Sequence, residues 1–285
     1  MLYDIKNIDL TIKETFNIGF RLYRVNIKAI VALAILVYIP VMLLDGLVTM
    51  PSIQDLLRLL GINSGGYYAG LLAVLQVMLV TDINSLPMEI MGDFSRLTFI
   101  IISSVMIAQT VFMPLLASGQ TFLVGETIEG KGATAESMMS VMVANIPKTA
   151  FTAMLSFMCV MLGTMMLFVP GIYLAICFSF VTPAVIITGK WGFAALKESF
   201  LVVRGQWFKT LAFIVLTNVF ALMILQMVIF LGAGVFSLFP PTIISGIVVG
   251  ILGNIVMAYF IMVECLWFVN KYTLKTNIRK SDITA

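Results

Sequence analysis

The chain has 285 residues, 61% of them hydrophobic and 11% charged, with 17 Lys and Arg against 14 Asp and Glu and a net charge of +3. A soluble domain carries about 25% charged residues, so water is excluded as the solvent for most of this surface, and the net charge is too small, and too divided by apolar runs, to point to a nucleic-acid partner. There is no histidine, and Cys159, Cys177 and Cys265 all lie in apolar stretches, which leaves no basis for a disulfide framework, a Cys/His zinc site or histidine acid–base chemistry.

Residues 1–28 hold Lys6, Lys13, Arg21, Arg24 and Lys28 without the order of a cleaved signal peptide, and are expected to stay as a cytoplasmic amphipathic segment. At 100° per residue Ile8, Ile12, Phe16, Phe20 and Tyr23 share one face, and Lys13, Asn17, Arg21, Arg24 and Lys28 the other. That is the pattern of a helix lying on an anionic inner leaflet. Residues 29–44 form an uncharged run closed by Asp45, and 97–125 a second run between Arg96 and Glu126. Together they predict one hairpin with a long extracytoplasmic connection, 46–95. Within that connection, 52–60 and the apolar stretch 65–80 are expected as interfacial or re-entrant helices packed on the bundle.

Thr134 to Lys148 predicts a second interfacial segment, with Met138, Met139 and Met142 beside Glu136, Ser137 and Asn145. Between Lys148 and Lys190 lie 41 uncharged residues, about twice one span, with Pro170-Gly171 at the middle. A helix needs roughly 20 residues to cross hydrocarbon, so this run predicts two helices turning at Pro170-Gly171. A third segment, Phe193 to Lys209, lines up Phe193, Leu196, Phe200, Val203 and Trp207. The next 61 residues carry one charge, Glu264, and turn at Pro240-Pro241; residues 271–285 form a cytoplasmic tail.

The predicted fold is therefore all-α, one integral membrane domain over 1–285. It has about six transmembrane helices in three hairpins, each preceded by an interfacial amphipathic helix with Lys28, Lys148 or Lys209 at the membrane edge. This repeated pattern either records duplication or answers the common demands of re-entering a membrane. Six spans put 15 of the 17 basic residues on one side, leaving only Arg58 and Arg96 opposite. The positive-inside rule then places both termini in the cytoplasm of a plasma membrane, and a seventh span at 65–80 would reverse everything downstream.

Polar residues inside the spans are the candidate functional positions, because an unpaired charge or amide in hydrocarbon is costly. They are Gln109, Asn218, Gln226, Asn254 and Glu264. The amides suit hydrogen bonds between helices, and Glu264, seven residues before Lys271, suits an interfacial carboxylate paired with a basic side chain. Gly246 and Gly250 have the spacing of a close helix contact, and the twenty methionines suit irregular packing. No phosphate loop, nucleophile elbow or metal-ligand motif occurs, so no enzyme, cofactor or metal site is expected.

The segment Val169-Pro-Gly-Ile-Tyr-Leu-Ala, then Thr182-Pro-Ala-Val-Ile-Ile, then Ala194-Ala-Leu-Lys-Glu-Ser-Phe-Leu-Val-Val-Arg-Gly-Gln-Trp-Phe-Lys-Thr-Leu resembles the YciC-like membrane proteins. It also resembles the membrane domain fused to some glycerophosphoryl diester phosphodiesterases. Pro170, Gly171, Tyr173, Pro183, Ala184, Ser199, Val202 and Gly205 occupy the places of that pattern, which covers about 45 residues; the start and end of the chain match more loosely. The resemblance implies a bacterial or archaeal cytoplasmic-membrane protein of about six helices. The phosphodiesterase barrel and its metal-binding residues have no counterpart here. The expected function is a non-catalytic multi-pass protein that binds lipid or a membrane partner, including a second copy of itself, in envelope homeostasis or assembly. The alternative is a transporter, channel or lipid-translocating protein with a cavity between the hairpins.

Overall fold

The computed structural model describes residues 8–44, 50–59, 88–107, 113–166, 168–236 and 243–284, and the statements below concern these residues. They form helices and turns and no strand. In order these are α1 (Ile12–Leu44), α2 (Met50–Leu59), α3 (Met88–Ile107), α4 (Met113–Ile128), α5 (Ala135–Met166), α6 (Phe168–Cys177), α7 (Val181–Thr188), α8 (Phe193–Val203), α9 (Trp207–Phe236) and α10 (Ile243–Thr284). Four segments are long and apolar enough to cross a membrane: α5, α6 together with α7, α9 to Gly232, and α10 from Gly250 to Asn277. This is the make-up of a multi-pass membrane protein, and its last two pairs fall where the sequence sets two hairpins.

The first expected hairpin is divided differently. Residues 29–44 are the second half of α1, continuous with the basic segment, because neither glycine nor proline interrupts the chain around Lys28. Likewise Thr134 to Lys148 does not stand apart. It is the first half of α5, which runs through Pro147 as one 32-residue helix. Residues 97–107 fall in α3 and 113–125 in α4, and the stretch 65–80, Gln109 and Pro240-Pro241 lie outside the described residues. Only the third pre-hairpin segment has a helix of its own, α8 over Phe193–Val203, while its Trp207 and Lys209 already belong to α9.

The break between α5 and α6 falls ahead of Pro170-Gly171, since α5 ends at Met166 and α6 begins at Phe168. Pro170 then sits in the first turn of α6, where a missing N–H costs nothing. Gly171 lets the two helices touch: a Cβ there would stand 2.7 Å from the Thr164 Cα. Helix α6 stops at Cys177 because Pro183 has no N–H for the carbonyl four residues earlier and its ring crowds that turn. The chain resumes as α7 and ends at Gly189, whose φ of 69° is the left-handed cap that glycine adopts most easily.

Helix α8 does not lie across the base of the α5/α6 hairpin. It folds back along α7 and α6, burying Ala195, Leu196, Ser199, Val202 and Val203. Ser199 donates from Oγ to the Cys177 carbonyl at 2.7 Å, taking up an acceptor that the break leaves free. At the far end Gly205, with φ of 84°, turns the chain into α9, and Trp207 stacks on Tyr173 at 5.8 Å. Helix α9 thus starts near the tip of the α5/α6 hairpin, and the two hairpins point in opposite directions. Lys148 and Lys190 mark the base of the first and Lys209 and Lys271 the base of the second, so these edges are not shared.

Candidate functional site

Helix α1 is held along α10 by a ladder of contacts in antiparallel register. Asn270 receives the Leu10 N–H at 3.3 Å and donates to the Ile8 carbonyl at 2.8 Å. Gly19 abuts Val263, where a Cβ would meet Cγ2 at 2.6 Å, so only a small residue permits this approach. The Tyr259 hydroxyl donates to the Phe16 carbonyl at 3.2 Å and the Tyr23 hydroxyl to the Ile255 carbonyl at 3.0 Å. Below this ladder the Lys271 ammonium pairs with Asp9, donates to the Leu10 carbonyl at 3.1 Å and lies over the Trp267 ring at 4.3 Å. Glu14 and Thr11 close a reciprocal cap at the helix start. These bonds from Thr11 hold the Glu14 carboxyl below its ordinary range.

The packed face of α1 is Thr15, Gly19, Leu22, Ile30 and Leu33, rotated from the apolar line read in the sequence; Ile8 and Phe20 on that line stay about half exposed. The opposite face is as expected: Lys13, Asn17, Arg21, Arg24 and Lys28 are all exposed. A cavity of about 540 Å³ opens there, lined by Asn17, Phe20, Arg21, Arg24 and Val25. The Arg24 guanidinium rests 5.9 Å from the centre of the Phe20 ring.

The described candidate intramembrane residues, Asn218, Gln226, Asn254 and Glu264, do not gather at one level. Asn218 of α9 reaches Glu264 of α10 at 3.5 Å while donating to its own Ile214 carbonyl at 2.9 Å. The carboxylate partner is therefore an amide, where a basic side chain was expected. Asn254 donates to Gly250 of its own helix at 3.0 Å, and Gln226 is exposed. The stacked rings of Phe213 and Trp267, 4.3 Å apart, and the contact of Leu225 with Gly253 set the α9/α10 register. Gln226 and Asn254 share one level in it, about 12 to 15 Å from Glu264 at 1.5 Å per residue. A close approach is made at Gly253, where a Cβ would stand 3.0 Å from Leu225 Cδ1. Lys28, Lys148 and Lys209 are exposed. Lys28 stands at the Lys148 and Lys190 end, because Asn26 donates to Thr127 at 3.2 Å and Gly125 abuts Ile187.

Several polar links went unread in the sequence. Lys275 donates to the carbonyls of Leu201 at 2.6 Å, Val202 at 2.9 Å and Arg204 at 2.6 Å, capping the free end of α8. Thr121 of α4 and Cys265 of α10 share a buried bond at 2.9 Å. A signal existed for the first link: Asn270, Lys271 and Lys275 lie at helical spacing where the apolar run ends. None existed for the second. Among the described residues no group of three or more His, Cys, Asp or Glu side chains comes together to hold a metal ion. Compared with known proteins, the chain matches no family model, no curated protein and no solved structure.

Proposed function

We propose that the protein is a non-catalytic, multi-pass protein of a prokaryotic cytoplasmic membrane that binds anionic lipid, in keeping with its resemblance to the YciC-like proteins. One observation carries this reading: α1 turns its basic face outward, unpaired with any described carboxylate, while its other face is built into the core. Basic side chains beside a membrane attract anionic headgroups with about 1 kcal/mol each near the surface.

The test is native mass spectrometry of the purified full-length protein titrated with phosphatidylglycerol and phosphatidylcholine. Preferential retention of phosphatidylglycerol, weakened by salt, is the expected result. Equal retention of the two lipids contradicts the reading.

A further inference from the structure

We propose that the cavity on the exposed face of α1 binds the phosphate-bearing headgroup of an anionic phospholipid, held by Asn17, Arg21 and Arg24 between the apolar walls of Phe20 and Val25. This rests on the lipid-binding reading above and names the residues, and the depth along the helices, at which binding occurs.

The donor set suits phosphate. Asn17, Arg21 and Arg24 recur at i, i+4 and i+7, which brings all three to one face of a helix. Guanidinium groups meet phosphate oxygens through paired, charge-assisted hydrogen bonds, and the Asn17 amide adds a further donor. The Phe20 ring under Arg24 holds that guanidinium beside the cavity.

Position also suits a headgroup. Tyr23 meets Ile255 of α10, and Leu225 of α9 meets Gly253, so Arg24 stands level with the interior of the α9/α10 hairpin. From Lys271 to that level α10 advances about 24 Å at 1.5 Å per residue, against a hydrocarbon core of about 30 Å. Both α9 and α10 are apolar enough there to cross a membrane, and Phe220, Leu222 and Met223 of α9 are exposed nearby. Lys28, one helical turn or about 6 Å further along α1, stands at the Lys148 and Lys190 end, so the arginines lie near that edge of the apolar wall, at the depth of phospholipid headgroups. Neither arginine forms an ion pair with a described residue. A headgroup drawn into the cavity supplies the missing negative charge, with its acyl chains on the apolar flank. A second copy across this face would oppose five like-charged or amide side chains to their own images, which electrostatics disfavours.

The experiment uses native mass spectrometry of the full-length protein with phosphatidylglycerol, phosphatidylcholine and inorganic phosphate, on wild type, Arg21→Gln/Arg24→Gln, Arg21→Lys/Arg24→Lys, and Lys148→Gln/Lys209→Gln. The proposal expects the Arg-to-Gln pair to weaken phosphatidylglycerol binding at least tenfold, the Arg-to-Lys pair to recover part of it, and the double lysine variant to change it less than threefold. Inorganic phosphate should not displace the lipid. Wild-type affinity in the Arg-to-Gln pair, with loss in the lysine variant, overturns this site and leaves the lipid-binding reading standing; no lipid preference in wild type sinks both. Displacement by phosphate alone, or a lipid-free dimer that the Arg-to-Gln pair splits, overturns the proposal in favour of a free anion or a second copy.

Discussion

The hairpin of α5 with α6 and α7 and the hairpin of α9 with α10 are both apolar enough to cross a membrane, yet they are held by different means. In the first, glycine contact brings the helices together, proline breaks the second arm of the hairpin, Ser199 repairs that break at Cys177, and Thr152 accepts the Gly192 N–H at 2.9 Å where the chain enters α8. In the second, neither long helix has such a break among its described residues, and the pair is joined by stacked rings and one amide–carboxylate contact. A broken helix exposes backbone groups that lipid cannot satisfy, so it depends on single hydrogen bonds. An unbroken pair spreads its stability over many weak contacts. Single substitutions should therefore hurt the first hairpin far more than the second.

The largest effect is expected at Gly171. Gly171→Val drives a branched side chain into the Thr164 backbone and should cost about 3 kcal/mol, read as a lowered thermal unfolding midpoint in detergent. An unchanged midpoint means that the helices do not touch there. Ser199→Ala should follow, at about 1 to 3 kcal/mol, because it strands a buried carbonyl; Ser140→Ala, on an exposed surface, serves as the reference and should fall within about 0.5 kcal/mol. Gly205→Ala forces a side chain into a left-handed turn, for about 1 kcal/mol, and pairing it with Ser199→Ala shows whether α8 fails as a unit.

How much of this was legible follows the same division. The apolar runs and the basic stripe of α1 read directly from composition and period, since hydrophobicity recurs at fixed spacing. The direction of the second hairpin did not. It depends on α8 folding back, and that depends on a hydroxyl meeting a carbonyl 22 residues away, for which spacing gives no sign. The places of Ser199, Val202 and Gly205 in a familiar pattern were visible, but their work, closing a helix break, packing the return and turning the chain, needed coordinates. Asn218, Gln226 and Asn254 were readable as polar positions, but which helix each would bond was not.

On the α9/α10 side the expected effects are small. Asn218→Ala and Glu264→Gln should each cost about 0.6 kcal/mol, and Gln226→Ala, exposed and without a described partner, should leave the midpoint unmoved. A loss above about 2 kcal/mol at Glu264 would show that the carboxylate is a structural anchor of the same rank as Ser199. The smallest effect is at the start of α1. Because Glu14 is held below its ordinary range, the stability its cap adds is complete above the ordinary carboxyl range and is lost as pH falls through the lowered value. Thr11→Ala should abolish that acid sensitivity of the amino-terminal turn, followed by amide hydrogen exchange.

The opposed direction of the two hairpins is the claim on which the rest depends, and cross-linking addresses it directly. In a background lacking Cys159, Cys177 and Cys265, cysteines replacing Tyr173 and Trp207, whose rings stack at 5.8 Å, should join through a short bismaleimide. Cysteines replacing Lys148 and Lys209, about 20 Å apart along the axis at 1.5 Å per residue, should not. Joining of Lys148 to Lys209 with no link between Tyr173 and Trp207 would mean that the hairpins share one base and point the same way.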